Sequence, residues 1–289
     1  MRIAAVAYRI ERLAGWAALD AKWSALSTAA PADLVVLPEY AAMDAALVDA
    51  PPSLSPRHWG ERAADCAAAW CDRAAAFARR NACHVLAGTG PARTARGIVN
   101  RAWLIGPEGG MAHQDKLIPT PYERDTLGMV PGDSLKIFDT PLGQIGILTC
   151  YDCEFPIFAR SLAQAGAEMI LVPSCTDGPA GQTRVRQSAR ARAIESQCLV
   201  VQAPLVGRVA GCDVVDENTG RAGFFCPPDQ GLPDDGILAQ GETDAPGAVV
   251  ADVDPGAIRA PRQTGQVGNF AHWDEQQRHD ARVESVPLS

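Results

Sequence analysis

This chain of 289 residues predicts an α/β fold with mixed sheets, and three observations carry the prediction. Short apolar runs rich in β-branched residues, closed by Gly, Pro or Asp, alternate with longer stretches of helical period. Neighbouring short runs are joined by tight turns, so the strands beside them run antiparallel and the sheets are mixed. No internal repeat, low-complexity linker or break in composition divides the chain, which therefore reads as one domain.

Residues 2–8 alternate as a strand. Residues 14–29 set Trp16, Leu19 and Trp23 among alanines and read as a helix. Leu34 to Leu37 is a buried strand stopped by Pro38 and Glu39. Residues 57–80 make a long amphipathic helix, with Trp59, Ala63, Cys66, Trp70, Ala74 and Phe77 on one stripe. His84 to Gly88 and Asn100 to Ile105 are strands, the second ending in a turn from Gly106 to Gly110. Residues 113–134 read as a loop with three prolines and Lys116. A hairpin over 135–138 and 143–149 turns at Pro141, Leu142 and Gly143. Next come a helix at 156–165, a strand at 169–173, a helix at 181–196 and a strand at 199–203. Residues 207–247 are rich in Gly, Pro and Asp and read as loops with edge strands at 222–225 and 237–239. A late strand runs from Ala248 to Val253. The chain thus divides into a domain over 1–260 and a tail over 261–289, expected either to pack on a partner subunit or to fray.

Composition narrows the function. A content of 47% hydrophobic and 21% charged residues is that of a globular protein with its own core. The net charge of −8 argues against nucleic acid and anionic membrane surfaces. The basic group Arg184, Arg186, Arg190 and Arg192 has helical spacing and reads as a charged helix face. No run nears the roughly 18 apolar residues of a membrane span, and the first residues lack a cleavage-site pattern. Nine cysteines, an odd number scattered through apolar runs, fit reduced thiols in the cytoplasm. Only Cys150 and Cys153 form a Cys-x-x-Cys, so zinc lacks the second ligand pair it needs.

The stretch from Gly143 to Pro156 carries most of the chemistry: a strand, a thiol at its end, an acidic turn and a helix start. Such a corner lifts a side chain clear of the sheet, where a substrate can reach it. Cys150 is therefore the candidate nucleophile, in need of a base or an electropositive setting, part of which the coming helix N-terminus supplies. Glu39, closing a buried strand, is poorly solvated on one side, which raises its pKa toward that of a general base. Lys116 beside the thiol would favour the thiolate and stabilise an oxyanion. Glu123 is placed to orient Lys116 or a substrate amide, or to pair with Arg124. Of the histidines, His113 is the best alternative base.

Three segments, LVVLPEY (34–40), HQDKLIP (113–119) and GILTCYDCEFP (146–156), resemble in order the three signature blocks of the nitrilase superfamily, the carbon–nitrogen hydrolases. The run from Arg190 to Gln197 resembles that family's helix before a late strand, so the likeness spans roughly residues 2–255. The resemblance implies an αββα sandwich, a four-layer arrangement with mixed sheets, and a homodimer that pairs sheets across its interface. It implies Glu39, Lys116 and Cys150 as the catalytic triad, Glu123 as the second glutamate, and the Tyr151 backbone N–H with Lys116 at the oxyanion. It implies a thioester acyl-enzyme, release of ammonia or an amine, and no metal or organic cofactor.

True nitrilases of that superfamily usually carry Cys-Trp-Glu at the nucleophile, whereas Cys150-Tyr151-Asp152 looks like the amidase and carbamoylase branches, so amide hydrolysis is expected ahead of nitrile hydrolysis. Several such branches hold arginine where this chain has Glu154. A carboxylate there would repel anions and attract amines, so the expected substrate is a small neutral or cationic amide; the alternative is that Glu154 pairs with an internal arginine. Ser196 replaces the asparagine frequent in the family. Pocket-lining loops are expected near 120–135, 174–184 and 206–230; Trp103 and Trp273 could line a pocket too, but as lone aromatics they read rather as core or interface residues. The rival readings are a thiol–disulfide oxidoreductase built on Cys150 and Cys153, against which Asp152 argues, and a non-catalytic binding protein on the same fold.

Overall fold

The described residues of the computed structural model are 1–279 and 285–287; of the expected tail, 280–284 and 288–289 lie outside them. In chain order the elements are β1 (Arg2–Arg9), α1 (Trp16–Ala29), β2 (Leu34–Val36), α2 (Met43–Leu47), α3 (Pro56–Asn81), β3 (His84–Thr94), β4 (Gly97–Ile105) and β5 (Met111–Asp115). They continue with β6 (Ile137–Thr140), β7 (Gly143–Ile147), α4 (Pro156–Gln164), β8 (Met169–Ser174), α5 (Pro179–Ser196) and β9 (Leu199–Val206). Last come β10 (Gly223–Phe225), β11 (Ile237–Gln240), β12 (Gly247–Asp252), α6 (Pro255–Arg259) and α7 (Pro261–Thr264).

The strand order is β12-β1-β2-β3-β4-β5 in one half and β6-β7-β8-β9-β10-β11 in the other. The inner strands β1, β2 and β3, and again β7, β8 and β9, run parallel; the flanking strands run antiparallel. Tyr8 and Arg9 pair with Leu205 and Val206, joining the halves at one corner.

β1 shows why the layers stack as they do. Its residues alternate between two apolar environments, as the two-residue period of a strand requires. Ile3, Ala5 and Ala7 enter a core between the sheets, with Leu34, Val36, Ile145, Ile147, Leu171 and Val201. Ala4, Val6 and Tyr8 face the helices, beside Trp23, Trp70 and Phe77. The three rings of that helical layer pack at a tilt, the Trp23 ring centre lying 4.9 Å from that of Trp70 and 5.4 Å from that of Phe77. A third core sets α4 and α5 against the second sheet through Leu162, Val185, Ala189, Val172 and Val200. The layers are therefore helix, sheet, sheet, helix: an αββα sandwich.

Several elements depart from the sequence expectations. Residues 111–115, partly read as loop, form β5, paired residue for residue with β4 from Arg101 to Ile105. Residues 43–47 form a short helix, and residues 122–127 close a π-helical turn inside the expected loop. Between Pro261 and Trp273 the chain contacts its own domain: Gln197 donates to the carbonyls of Pro261 and Val267, Arg262 to those of Ala167, Ser196 and Gln197, and Arg160 stacks on Phe270 and Trp273. Among the described residues no helix is long and apolar enough to cross a membrane.

Candidate active site

The strand ends at one edge of the sandwich hold the polar residues that an apolar core excludes. β2 continues as far as Leu37, whose N–H donates to the Leu86 carbonyl, and Pro38 then ends the ladder. Glu39 follows, with Tyr40 in the left-handed region at φ 59. Gly88 makes this turn possible: at φ +67 it lies so close that a Cβ would stand 2.2 Å from the Pro38 carbonyl oxygen. Thr89 completes the seat, its N–H donating to the Pro38 carbonyl and its hydroxyl accepting the Tyr40 N–H.

Lys116 leaves the end of β5, its backbone N–H donating to the Asn100 carbonyl at 2.8 Å. Cys150 follows β7 at φ 48, a conformation that costs a non-glycine residue of order 1–3 kcal/mol. The strained corner opens a 3-10 turn over Cys150–Glu154, and α4 starts only at Pro156. Asp152 in that turn is buried and accepts the N–H groups of Leu117 and Ile118, both at 2.9 Å. The turn bearing the thiol thus grips the loop bearing the lysine. Burial lifts the Asp152 carboxyl to about 7, against the pull of these two N–H groups.

Glu39, Lys116, Glu123 and Cys150 meet in the space so formed, all at 5% exposure or less. The Lys116 ammonium donates to Glu39 Oε1 at 2.8 Å and to Glu123 Oε2 at 2.6 Å. Glu123 also accepts the Tyr40 hydroxyl at 2.7 Å and the Thr120 N–H at 2.8 Å. Glu123 pairs with Lys116, then; Arg124 instead reaches the Pro119 carbonyl. Glu39 Oε2 accepts the Cys175 N–H at 3.0 Å, and the Cys150 thiol lies 3.5 Å from the Cys175 carbonyl.

The two glutamates are driven apart in acidity, although both are buried. Burial raises Glu39, and Lys116 only partly offsets it. For Glu123 burial acts the same way, but the Lys116 charge and the hydrogen bonds from Lys116, Tyr40 and Thr120 outweigh it and hold the carboxyl below its usual value. Burial alone would lower Lys116; the charges of Glu123 and Glu39 prevail and keep it protonated. The Cys150 thiol is pushed well above its usual value by burial and by the Glu39 charge, against the pull of Lys116. Both shifts therefore favour the neutral thiol over the thiolate. The sequence suggests a lysine-stabilised thiolate, but two carboxylates already neutralise that lysine. Carboxylates whose environments separate them in this way mark a fixed charge and a proton carrier.

These residues form the floor of a cavity of about 890 Å³. Its walls come from stretches within 120–123, 175–185 and 213–217, which fall in the three expected loop regions except for Val185, just past the second. Tyr151 lines it and stacks edge-on against Phe155. Glu154 lines it too, with Arg184 at 3.5 Å, so this carboxylate both faces the cavity and has an arginine partner. Asp177, Asp213 and Asp216 add further carboxylates to the walls.

Other candidates lie elsewhere. Trp103 is buried in the core under α3, and Trp273 lies against Arg160. His113 sits in β5 opposite Trp103, away from the thiol. Cys153 is buried in the core between α4, α5 and the second sheet, its thiol pushed up to about 12, mainly by burial. Arg190 donates to the Asp235 carbonyl and Arg192 to that of Cys153, so these arginines are tied into the fold.

The sequence reading singled out neither Tyr40 nor Asn100. Asn100 donates to Glu39 Oε1 at 2.9 Å and to Glu123 Oε1 at 2.8 Å. One signal for it was present: asparagine is depleted in strands, and here it sits inside an apolar one.

The family model described as carbon-nitrogen hydrolase matches residues 2–263. The probable hydrolase YhcX of Bacillus subtilis is 38% identical over 170 residues, 59% of this chain and 33% of that protein. The deaminated glutathione amidase of Homo sapiens is 46% identical over 80 residues, 27% of this chain and 24% of that protein. This chain therefore spans a third or less of either relative. Among solved structures, an amidase of Nesterenkonia from the nitrilase superfamily superposes with a TM-score of 0.69 at 22% identity, covering 96% of each chain. At that identity the likeness shows the fold alone.

Proposed function

The chain belongs to the carbon–nitrogen hydrolase family, and from that premise we propose that it hydrolyses a small neutral or cationic amide through a thioester on Cys150. The observation that carries this reading is the meeting of Glu39, Lys116 and Cys150 on the floor of one open cavity. In this reading Glu39 Oε2 takes the thiol proton as sulfur attacks the amide carbonyl. Lys116 and the Tyr151 backbone N–H hold the oxyanion. Glu39 then passes the proton to the departing nitrogen, and ammonia or an amine leaves. A water molecule, deprotonated by Glu39, attacks the thioester carbonyl; the carbon–sulfur bond breaks, a carboxylic acid departs and the thiol regains its proton. Glu123, ionised and fully hydrogen-bonded, keeps Lys116 charged throughout.

The burial of Cys153 away from the cavity supports hydrolysis over dithiol chemistry. The cavity walls support the charge preference. Glu154, Asp177, Asp213, Asp216 and Glu217 set five carboxylates against Arg184, and Glu217 is paired with the exposed Arg208. We place the protein in the cytoplasm as a homodimer; exposed Ile157 and Ile194, on α4 and α5, offer apolar surface to a second copy.

The test is ammonia release from a panel of neutral, cationic and anionic amides, carbamoyl amines and nitriles. Amides should outpace nitriles, and cationic amides should outpace anionic ones. Glu154→Arg should move the ratio of cationic to anionic rates at least about tenfold toward the anionic. An unchanged ratio removes Glu154 from the specificity assignment, and turnover of nitriles alone overturns the amide reading.

A further inference from the structure

Asn100 sits on β4 with one polar group turned toward each functional carboxylate. Its backbone carbonyl accepts the Lys116 N–H at 2.8 Å. Both protons of its side-chain amide are used, one on Glu39 Oε1 at 2.9 Å and one on Glu123 Oε1 at 2.8 Å. The orientation of the amide follows from its neighbours, because the reverse flip would aim an oxygen at two carboxylates. Its oxygen is buried and finds no partner among the described residues. An orphaned buried acceptor costs of order 1–3 kcal/mol, which a merely structural strand residue would avoid.

We infer that Asn100 is a positioning residue that binds the two carboxylates to one another through its amide and keeps Glu39 charged, with Oε2 turned to the thiol. The need for such a group follows from a count of charges. Lys116 supplies one positive charge for two buried carboxylates. Asn100 adds two donors without adding charge, and both go to Oε1 atoms, leaving Glu39 Oε2 beside Cys175, whose carbonyl the thiol also meets. Glu39 Oε1 is thereby saturated by Lys116 and Asn100, while Oε2 holds only the Cys175 N–H and keeps a lone pair free for the thiol proton. A second lysine in place of Asn100 would pair both carboxylates too tightly for either to accept a proton; an apolar residue would leave them repelling each other.

The groups that face Glu39 are Lys116 after β5, Glu123 on the π-helical turn, Cys150 on the 3-10 turn, Cys175 at the end of β8 and Tyr40 on its own loop. Removing a donor from a charged carboxylate disfavours the charged form, so loss of Asn100 must raise the pH at which Glu39 ionises. The size expected for one charge-assisted hydrogen bond is about one pH unit.

The test reads Glu39 directly and does not rest on the amide reading. In protein carrying ¹³C-labelled glutamate, the Glu39 carboxyl resonance is assigned by its loss in Glu39→Gln and then titrated. In Asn100→Leu, of similar size and without donors, the midpoint should rise by about one pH unit. In Asn100→Ser, whose hydroxyl can serve one carboxylate, it should rise by less. With substrate, the acid limb of kcat should move with the midpoint while KM changes little. A midpoint within about 0.2 units of wild type in the folded variants overturns the inference, since a packing role alone would lower the folded fraction without moving the titration. Should Asn100→Leu not fold, Asn100→Ser decides by the same criterion. Failure of ammonia release would count against the proposed reaction and leave this titration standing.

Discussion

Cys150→Ala should lower amide turnover by at least about 10⁴-fold while the protein stays folded. The size follows from the role proposed for the thiol: in that reaction no thioester forms without it, and the cavity retains only its power to bind and polarise the amide. The fold should tolerate the change. Alanine meets the left-handed backbone at φ 48 no worse than cysteine does, and one buried sulfur is lost beside the cavity, where few atoms must rearrange. Steady-state ammonia release with a thermal melt checks both halves. Activity within about tenfold of wild type would remove Cys150 from the mechanism.

The second large effect falls on stability as well as rate. Lys116 is 2% exposed and is the ammonium shared by Glu39 and Glu123. Lys116→Met should destabilise the fold by about 3–5 kcal/mol at neutral pH, because two buried carboxylates are left facing each other. For a chain of this size that is a fall in Tm of roughly 10 °C. The loss depends on pH with a definite sign. Glu39 is already raised in the native state, first by burial, and without the ammonium it rises further. A carboxyl raised by folding favours the native state below its unfolded value near 4.3 and loses that stability as pH rises through its folded value. Melts of the variant should therefore approach wild type near pH 5 and diverge near pH 8. Turnover should fall by roughly 10³-fold or more, since the oxyanion loses its positive partner and a smaller fraction of Glu39 is ionised and able to accept a proton. A variant equally stable at both pH values would contradict the charge balance described for this site.

The sequence carries the skeleton of this site well and its inner connections poorly. β1 is legible because its two faces are both apolar and its period is two. Cys150 is legible because a thiol between a strand and a proline-led helix has few other uses. β5 is hard to see: of its five residues only Gln114 is buried, so it shows no apolar alternation, and the pairing that defines it belongs to β4. The short helix at 43–47 is fixed by packing against α3 and offers no caps or period of its own. Whether Glu154 faces the substrate or an arginine is not encoded in its neighbours in sequence; Arg184 arrives from α5, thirty positions later, and both sit on the cavity wall. The upward push on the Cys150 thiol escapes sequence reading for the same reason, because it comes from burial and from Glu39, more than a hundred positions away.

The most direct test of the central claim is to quench the enzyme during turnover of its best amide, measure its intact mass and map the peptides. The account predicts an acyl group from the substrate on Cys150, formed with the release of one equivalent of ammonia or amine and absent from Cys150→Ala. Turnover with an unmodified Cys150, or with the acyl group on another side chain, would contradict it.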